Sequence, residues 1–146
     1  MTVAERGFSL LELLLSVTII GMLAGLSWPV YQSYQRQTDL DVTTQSIADS
    51  LRRAQTYARN GNGDSVWGVR ILSDSAVLYK GATYAGRNMA YDEAIGISSA
   101  FTAGGLSDIS FAKFTATPSA TGSITVTAAS DNVRTITINE KGTVSY

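Results

Sequence analysis

A single acidic residue lies within a long apolar stretch near the N-terminus. Over residues 8–31 the only charged side chain is Glu12. This stretch is long enough to cross a bilayer, because about 20 helical residues cover the hydrocarbon core. A charged group inside such a segment is costly, so Glu12 is expected to have a function and a partner. The alternative is an interfacial acid of a plain signal-anchor helix, reaching back to the lipid headgroups.

The residues before the stretch form a short polar leader, MTVAERG, that ends in Gly7. An ordinary secretory signal has a basic beginning, a shorter apolar core and a small-residue cleavage site after it. Here the charges of Glu5 and Arg6 cancel, the apolar run is too long, and no A-x-A triplet follows it. The N-terminus therefore does not match an ordinary cleaved signal.

The composition and motifs argue against an enzyme. The chain has no His and no Cys, which excludes His-based proton transfer, thiol nucleophiles, ordinary zinc sites and disulfides. Asn60-x-Asn62-x-Asp64 resembles the start of a calcium loop, but Ile71 stands where a bidentate Glu would close it, so a turn is favoured. No G-x-S-x-G and no paired acids stand out. We expect no catalytic residues, no cofactor and no metal.

Basic residues occur in two groups that could form a strip for DNA. The net charge is only -1, which does not generate the field expected of a dedicated nucleic-acid binder. Acidic residues interleave with the first group, so a solvated helix face or salt bridges between subunits is the favoured interpretation. The arginines are Arg52, Arg53 and Arg59, with Arg87 and Arg134 further on, and the acids are Asp39, Asp41, Asp49 and Asp64.

A helical pattern continues beyond the apolar stretch and would position Glu12 at one end of a long helix. Small and apolar residues recur at spacings of four and three, which predicts an amphipathic helix. The Asn60-Gly61-Asn62-Gly63 run favours a helix end there. The predicted helix therefore covers residues 8–59. The residues of this stripe are Leu40, Thr44, Ile47, Leu51, Ala54 and Ala58.

Three residues weaken the first half of this helix. Pro29 removes a hydrogen bond and clashes with the preceding turn, so a kink or local melting is predicted. Gly21 and Gly25 have low helix propensity, but they also form a G-x-x-x-G pattern that packs membrane helices. Both interpretations of the glycines stay open, with a yielding backbone favoured.

The pattern changes to β-strands after Gly63. Residues 66–72 and 76–80 are predicted to form a hairpin joined by Ser73-Asp74-Ser75. Residues 81–105 are predicted to be irregular. Further strands are predicted at 109–114, 124–127, 133–138 (after an Asp131-Asn132 turn) and 143–146. One long helix followed by about six short antiparallel strands predicts an α+β fold with a β-rich head.

Gly7-Phe8-Ser9-Leu10-Leu11-Glu12 resembles the N-terminal signature of type IV pilins and type II secretion pseudopilins. The resemblance implies that a prepilin peptidase cuts between Gly7 and Phe8 and that Phe8 is then N-methylated. It implies that Glu12 pairs with a neighbouring subunit's N-terminal amine during assembly. In the family, a glycine and a proline at the positions of Gly21 and Pro29 bound the segment that loses helicity in the filament.

The head is most similar to the GspH/FimT branch of minor pseudopilins and minor pilins. This resemblance is carried by residues 53–59, 67–71, 136–138 and 142–144. The chain lacks the disulfide that ties the C-terminal loop of many major pilins. FimT-like subunits linked to DNA uptake carry a basic cluster near the C-terminus, whereas here acids accompany the basic residues, namely Asp131 and Glu140 beside Arg134 and Lys141.

These observations predict a type IV pilin-like chain with four parts: a leader (1–7), a membrane and filament-core helix (8–31), an amphipathic helix (32–60) and a β-rich head (61–146). The expected function is structural. The resemblance implies that the protein starts as a single-pass precursor in the cytoplasmic membrane and is polymerised into an extracellular or periplasm-spanning filament. Its implied partners are other pilins, the prepilin peptidase and methyltransferase, and the inner-membrane platform with its assembly ATPase. The alternatives are a minor type II secretion pseudopilin and a DNA-binding competence pilin, although nucleic acid is not an expected partner.

Overall fold

The structure is a computed structural model that describes residues 7–129 and 132–146, without the side chains of residues 26–30. It divides into two compact units, Met1–Arg36 and Gln37–Tyr146, which are described separately. Part of the predicted Asp131-Asn132 turn lies outside the described residues.

One long helix, α1, runs from Leu10 to Arg59. It starts two residues after the predicted beginning at Phe8, and its end at Arg59 confirms the prediction. Asn60 N–H donates to the Thr56 carbonyl oxygen at 3.0 Å. Gly61 then adopts a left-handed conformation with φ 65°, which is how a glycine commonly terminates a helix.

The first unit contains the N-terminal part of α1. Within the part of the chain that the structure describes, no helix is both long enough and apolar enough to cross a membrane.

The second unit contains two antiparallel four-stranded sheets. Sheet A comprises β1 (Trp67–Ile71), β2 (Ser75–Lys80), β3 (Asn88–Gly96) and β5 (Asp108–Phe111), in the order β3-β2-β1-β5. Sheet B comprises β4 (Phe101–Gly105), β6 (Gly122–Ala128), β7 (Val133–Ile138) and β8 (Val144–Ser145), in the order β4-β6-β7-β8. A short 3-10 helix, Asn62–Asp64, precedes β1. A long helix followed by antiparallel sheets confirms the α+β, pilin-like fold class.

The predicted hairpin is confirmed, since β1 pairs with β2 and places Ile71 opposite Ala76. The prediction that residues 81–105 are irregular was wrong, because β3 and β4 lie there. The described residues therefore contain eight strands rather than about six. The strand predicted at 109–114 ends at Phe111, since Phe114 adopts a positive φ of 65° in the following turn.

One hydrophobic core joins the second half of α1 to both sheets. The predicted helix stripe is confirmed, because all six of its residues are buried. Burial of this apolar face supplies the main driving force for folding the unit. The largest fully buried side chains in the core include Leu40, Ile47, Leu51, Leu78, Ile109, Phe111, Ile124, Val126, Ile136 and Ile138.

Candidate functional site

The beginning of α1 is organised by Ser9. The Glu12 N–H donates to the Ser9 hydroxyl at 3.2 Å and to the Ser9 carbonyl at 3.1 Å, which makes Ser9 the N-cap. This role of Ser9 was not predicted from the sequence. The signal was present, because Ser-x-x-Glu is the capping-box pattern that marks a helix start. The cap places Glu12 in the first helical turn.

The apolar side chains around Glu12 face outward on every side of the helix. Leu10, Leu11, Leu13 and Leu14 are between 60% and 83% exposed, although they occupy successive positions around the helix. This continuous apolar surface is much larger than scattered apolar residues produce on a soluble monomer, so it marks an interaction surface. The same exposure extends to Leu15, Val17, Ile19, Ile20, Met22 and Leu23.

The other polar side chains near Glu12 are satisfied locally. The Ser16 hydroxyl donates to the Glu12 carbonyl and the Thr18 hydroxyl donates to the Leu14 carbonyl, each at 2.7 Å. Such bonds to the preceding turn allow hydroxyl groups to exist in an apolar environment. The Glu12 carboxylate has no such partner among the residues that the structure describes. The pairing of Glu12 with another subunit therefore stays a prediction, and its exposed carboxylate is open to such a partner.

The other predicted site residues belong to the first unit. Gly7 precedes the helix next to Phe8, which is 76% exposed. Gly21 and Gly25 lie within α1, and a Cβ atom at either would meet no heavy atom within 4 Å. Pro29 also lies within the bounds of α1. The roles of these residues in cleavage, methylation, packing and helix melting remain predictions.

Several arginines of the second unit are paired with carboxylates. Arg134 Nε donates to Asp41 Oδ1 at 2.7 Å, and Arg52 Nη1 lies 3.2 Å from Asp49 Oδ1. The side-chain hydrogen bond to Asp92 raises the pKa of Arg87. These intramolecular pairs agree with the predicted interleaving of charges and reduce the positive field that DNA binding needs.

The segment that resembles a calcium loop is a turn. Asn62–Asp64 forms a 3-10 helix, and the Asp64 carboxylate accepts a hydrogen bond from Lys113. That hydrogen bond lowers the pKa of Asp64. Among the described residues, no group of three or more possible His, Cys, Asp or Glu ligands converges on a metal site.

Comparisons with known proteins agree with the N-terminal signature. Residues 3–28 match the model of the prokaryotic N-terminal methylation motif. A protein called "Fimbrial protein" from Moraxella nonliquefaciens is 36% identical over 59 residues, which cover 40% of this chain and 38% of that protein. No solved structure matches the chain. The methylation motif and the fimbrial relative show that the N-terminal part of this chain is similar to type IV pilins, and the long helix followed by antiparallel sheets is a pilin-like arrangement.

Proposed function

We propose that this protein is a structural subunit of a filament and polymerises through the N-terminal part of α1. The observation that carries the proposal is the apolar surface around Glu12, which is exposed on all sides of the helix. Burial of apolar area stabilises by about 25 cal/mol per Å², so packing several such helices together strongly favours assembly. To bury such a surface, neighbouring helices must pack on several sides of α1. The core of a filament provides this arrangement.

Glu12 would set the register of the subunits. If cleavage after Gly7 leaves Phe8 as the first residue, the new amine lies at the positive end of the helix dipole, where a cation is unfavourable. The unpaired Glu12 carboxylate of a neighbouring subunit would compensate that charge. A buried carboxylate and a buried amine are each expensive alone and tolerable as a pair.

Before assembly, residues 8–31 would anchor the precursor in the cytoplasmic membrane. This step rests on the sequence, in which only one charged side chain interrupts the stretch, because no helix among the described residues meets the length and hydropathy of a membrane span. The prepilin peptidase and methyltransferase would then process the Gly7-Phe8 junction, and the assembly platform and ATPase would add the subunit to an extracellular or periplasm-spanning filament. The amphipathic residues 32–60 and the head at 61–146 would form the filament's outer part. A pilus and a type II secretion pseudopilus would use the same surface.

Intact-mass analysis of filaments sheared from cells tests this proposal. The expected mass is that of a chain beginning at Phe8 with one added methyl group. Gly7→Leu should retain the leader, because the residue before the cut must fit a narrow site, while Thr2→Leu serves as the matched control in the same leader. A filament subunit that still begins at Met1, or the absence of the protein from any sheared filament, would refute the proposal.

A further inference from the structure

An unusual bulge interrupts the pairing of β3 with β2. Leu78 lies opposite Glu93 and Lys80 lies opposite Asn88, so residues 89–92 of β3 stand opposite the single residue Tyr79. Bulges of this kind re-aim side chains and occur often beside functional sites. Here the bulge carries Tyr91, which is 48% exposed, to the surface of the head.

The bulge forms one wall of a groove of about 350 Å³. This volume lies at the lower end of the range of about 300–1,000 Å³ for small-molecule sites. Three aromatic residues line it: the ring centroid of Trp67 lies 4.8 Å from that of Tyr57 and 6.2 Å from that of Tyr91, both in edge-to-face geometry. The other lining residues are Asn62, Gly63, Ala90, Asp92 and Glu93.

The floor of the groove is held rigidly. Trp67 is only 6% exposed, and its indole Nε1–H donates to the Asn62 carbonyl oxygen at 2.8 Å. Tyr57 is half-buried against the hydrophobic core. The aromatic surface is therefore formed before any ligand arrives, which lowers the entropy cost of binding.

Each carboxylate that lines the groove has one cationic partner within the chain, although Asp92 Oδ1 is buried and accepts no hydrogen bond from the described residues. Arg53 Nη2 lies 2.5 Å from Glu93 Oε2, and Arg87 Nε lies 2.7 Å from Asp92 Oδ2. Lys80 Nζ lies 4.4 Å from the centroid of the Tyr91 ring and so occupies one of its faces. A cationic ligand would compete with these cations, and an anionic ligand would compete with the carboxylates. An uncharged ligand avoids both costs.

We propose that this groove binds a neutral saccharide unit. Such a ligand has an apolar C–H face, which can pack on the exposed Tyr91 ring, and hydroxyl groups that both donate and accept hydrogen bonds. Asn62 and Glu93 both line the groove, and the exposed Asn62 amide and the Glu93 carboxylate, which Arg53 also contacts, offer complementary donors and acceptors. The groove shares no residue with the apolar surface around Glu12, and it gives the head a binding function beyond assembly.

The test uses the full chain, purified in a zwitterionic detergent, because alkyl-glycoside detergents carry the proposed ligand. The protein is applied to an array of neutral oligosaccharides, sialylated and sulfated glycans, and amine-bearing probes. Retained neutral sugars are then titrated in solution. Tyr91→Ala should weaken binding about tenfold or more, because the stacking surface is lost, whereas Tyr91→Phe should remain within about threefold of the original protein. Met89→Ala is the matched control, since Met89 is an exposed residue of the same bulge that does not line the groove.

Retention of neutral sugars that depends on Tyr91 and not on Met89 supports the proposal. Three results would overturn it: no neutral sugar is retained, only charged glycans or amines are retained, or Tyr91→Ala binds as well as the original protein. Circular dichroism of each variant establishes that the head is folded. Filament assembly does not enter this test, so failure here leaves the proposed structural function untouched.

Discussion

The Glu12 N–H donates to the Ser9 hydroxyl at 3.2 Å, so the residue that caps helix α1 also positions the charged residue of its apolar surface. The bond lies within the segment that cleavage after Gly7 would make the mature N-terminus. A fixed helix start would hold the Phe8 amine and the Glu12 carboxylate at constant separation in each subunit. The alignment of neighbouring subunits would then depend on an α1 N-terminus that is fixed rather than frayed.

Ser9→Ala should loosen this helix start. Loss of an N-cap costs about 1 kcal/mol, so hydrogen exchange at the Glu12 and Leu13 amides should accelerate about fivefold. The matched control is Ser16→Ala, because the Ser16 hydroxyl donates to a carbonyl within the helix and caps nothing. Equal exchange at both amides in the original protein and in Ser9→Ala would contradict the capping role.

Gly142→Ala should destabilise the head. Gly142 has φ +77°, and a Cβ atom there would lie 2.6 Å from Gln55 Nε2 and 2.9 Å from the Ala116 carbonyl oxygen. We expect a loss of at least about 1 kcal/mol in the free energy of unfolding, measured with denaturant. Gly96→Ala is the control, because a Cβ atom there meets nothing within 4 Å. If the unfolding midpoint of Gly142→Ala equals that of Gly96→Ala, the residues around Gly142 can adjust to the added Cβ atom and the prediction is wrong.

The free energy of unfolding of the head should decrease at alkaline pH because of the Tyr79 hydroxyl group. Burial and the hydrogen bond from its hydroxyl to Asp108 Oδ1, at 2.7 Å, raise the pKa of Tyr79. The folded state therefore holds this proton more tightly than the unfolded chain, whose tyrosine pKa is about 10. The resulting stabilisation is complete below about pH 10 and declines as the pH rises towards the folded-state pKa.

Unfolding midpoints between pH 7 and 11 check this expectation. Tyr79→Phe should cost about 1 kcal/mol at pH 7, because one hydrogen bond is lost, and should flatten the alkaline decline. Asp108 keeps Arg70 as a neighbour, with Arg70 Nη1 at 3.6 Å from Asp108 Oδ2. The exposed Tyr91→Phe serves as the control. An alkaline decline as steep in Tyr79→Phe as in the original protein would exclude Tyr79 as its source.

Pro29→Ala tests the prediction that residues 21–29 lose helicity during assembly. Proline removes a helix hydrogen bond and is about 3 kcal/mol less favourable than alanine within a helix. Alanine should therefore stabilise the helical conformation of this segment. The monomer should remain folded and membrane-bound, whereas the yield of filaments should change. A normal filament count, together with an unbroken helix at residues 21–29 in a filament reconstruction, would show that melting is unnecessary.

The sequence predicted the second half of α1 well and missed part of the sheets. Leu40 to Ala58 form a stripe with helical spacing because one face of the helix is buried in the core. β3 was not predicted because it is an edge strand whose residues are mostly exposed. Its sequence therefore lacks the alternation of apolar and polar residues that indicates a strand. β4 is short and ends in Gly104-Gly105, which are typical of loops.

The two candidate sites also differ in how far the sequence alone could predict them. Glu12 could be singled out because its surroundings are contiguous in the sequence. The groove could not, because Tyr57, Trp67 and Tyr91 come from a helix, a strand and a bulge that only the fold brings together.

The role of Glu12 in assembly is the central claim, and competition between subunits tests it most directly. Glu12→Ala is co-expressed with unmodified protein, and mass spectrometry measures the ratio of the two chains in membranes and in sheared filaments. Ser16→Ala, one turn along the helix, is the matched control. Breaking a buried charge pair costs about 3–5 kcal/mol, so Glu12→Ala should be cleaved and inserted normally yet be depleted from filaments by about a hundredfold or more. Equal ratios of Glu12→Ala to unmodified chain in the two fractions would contradict the account.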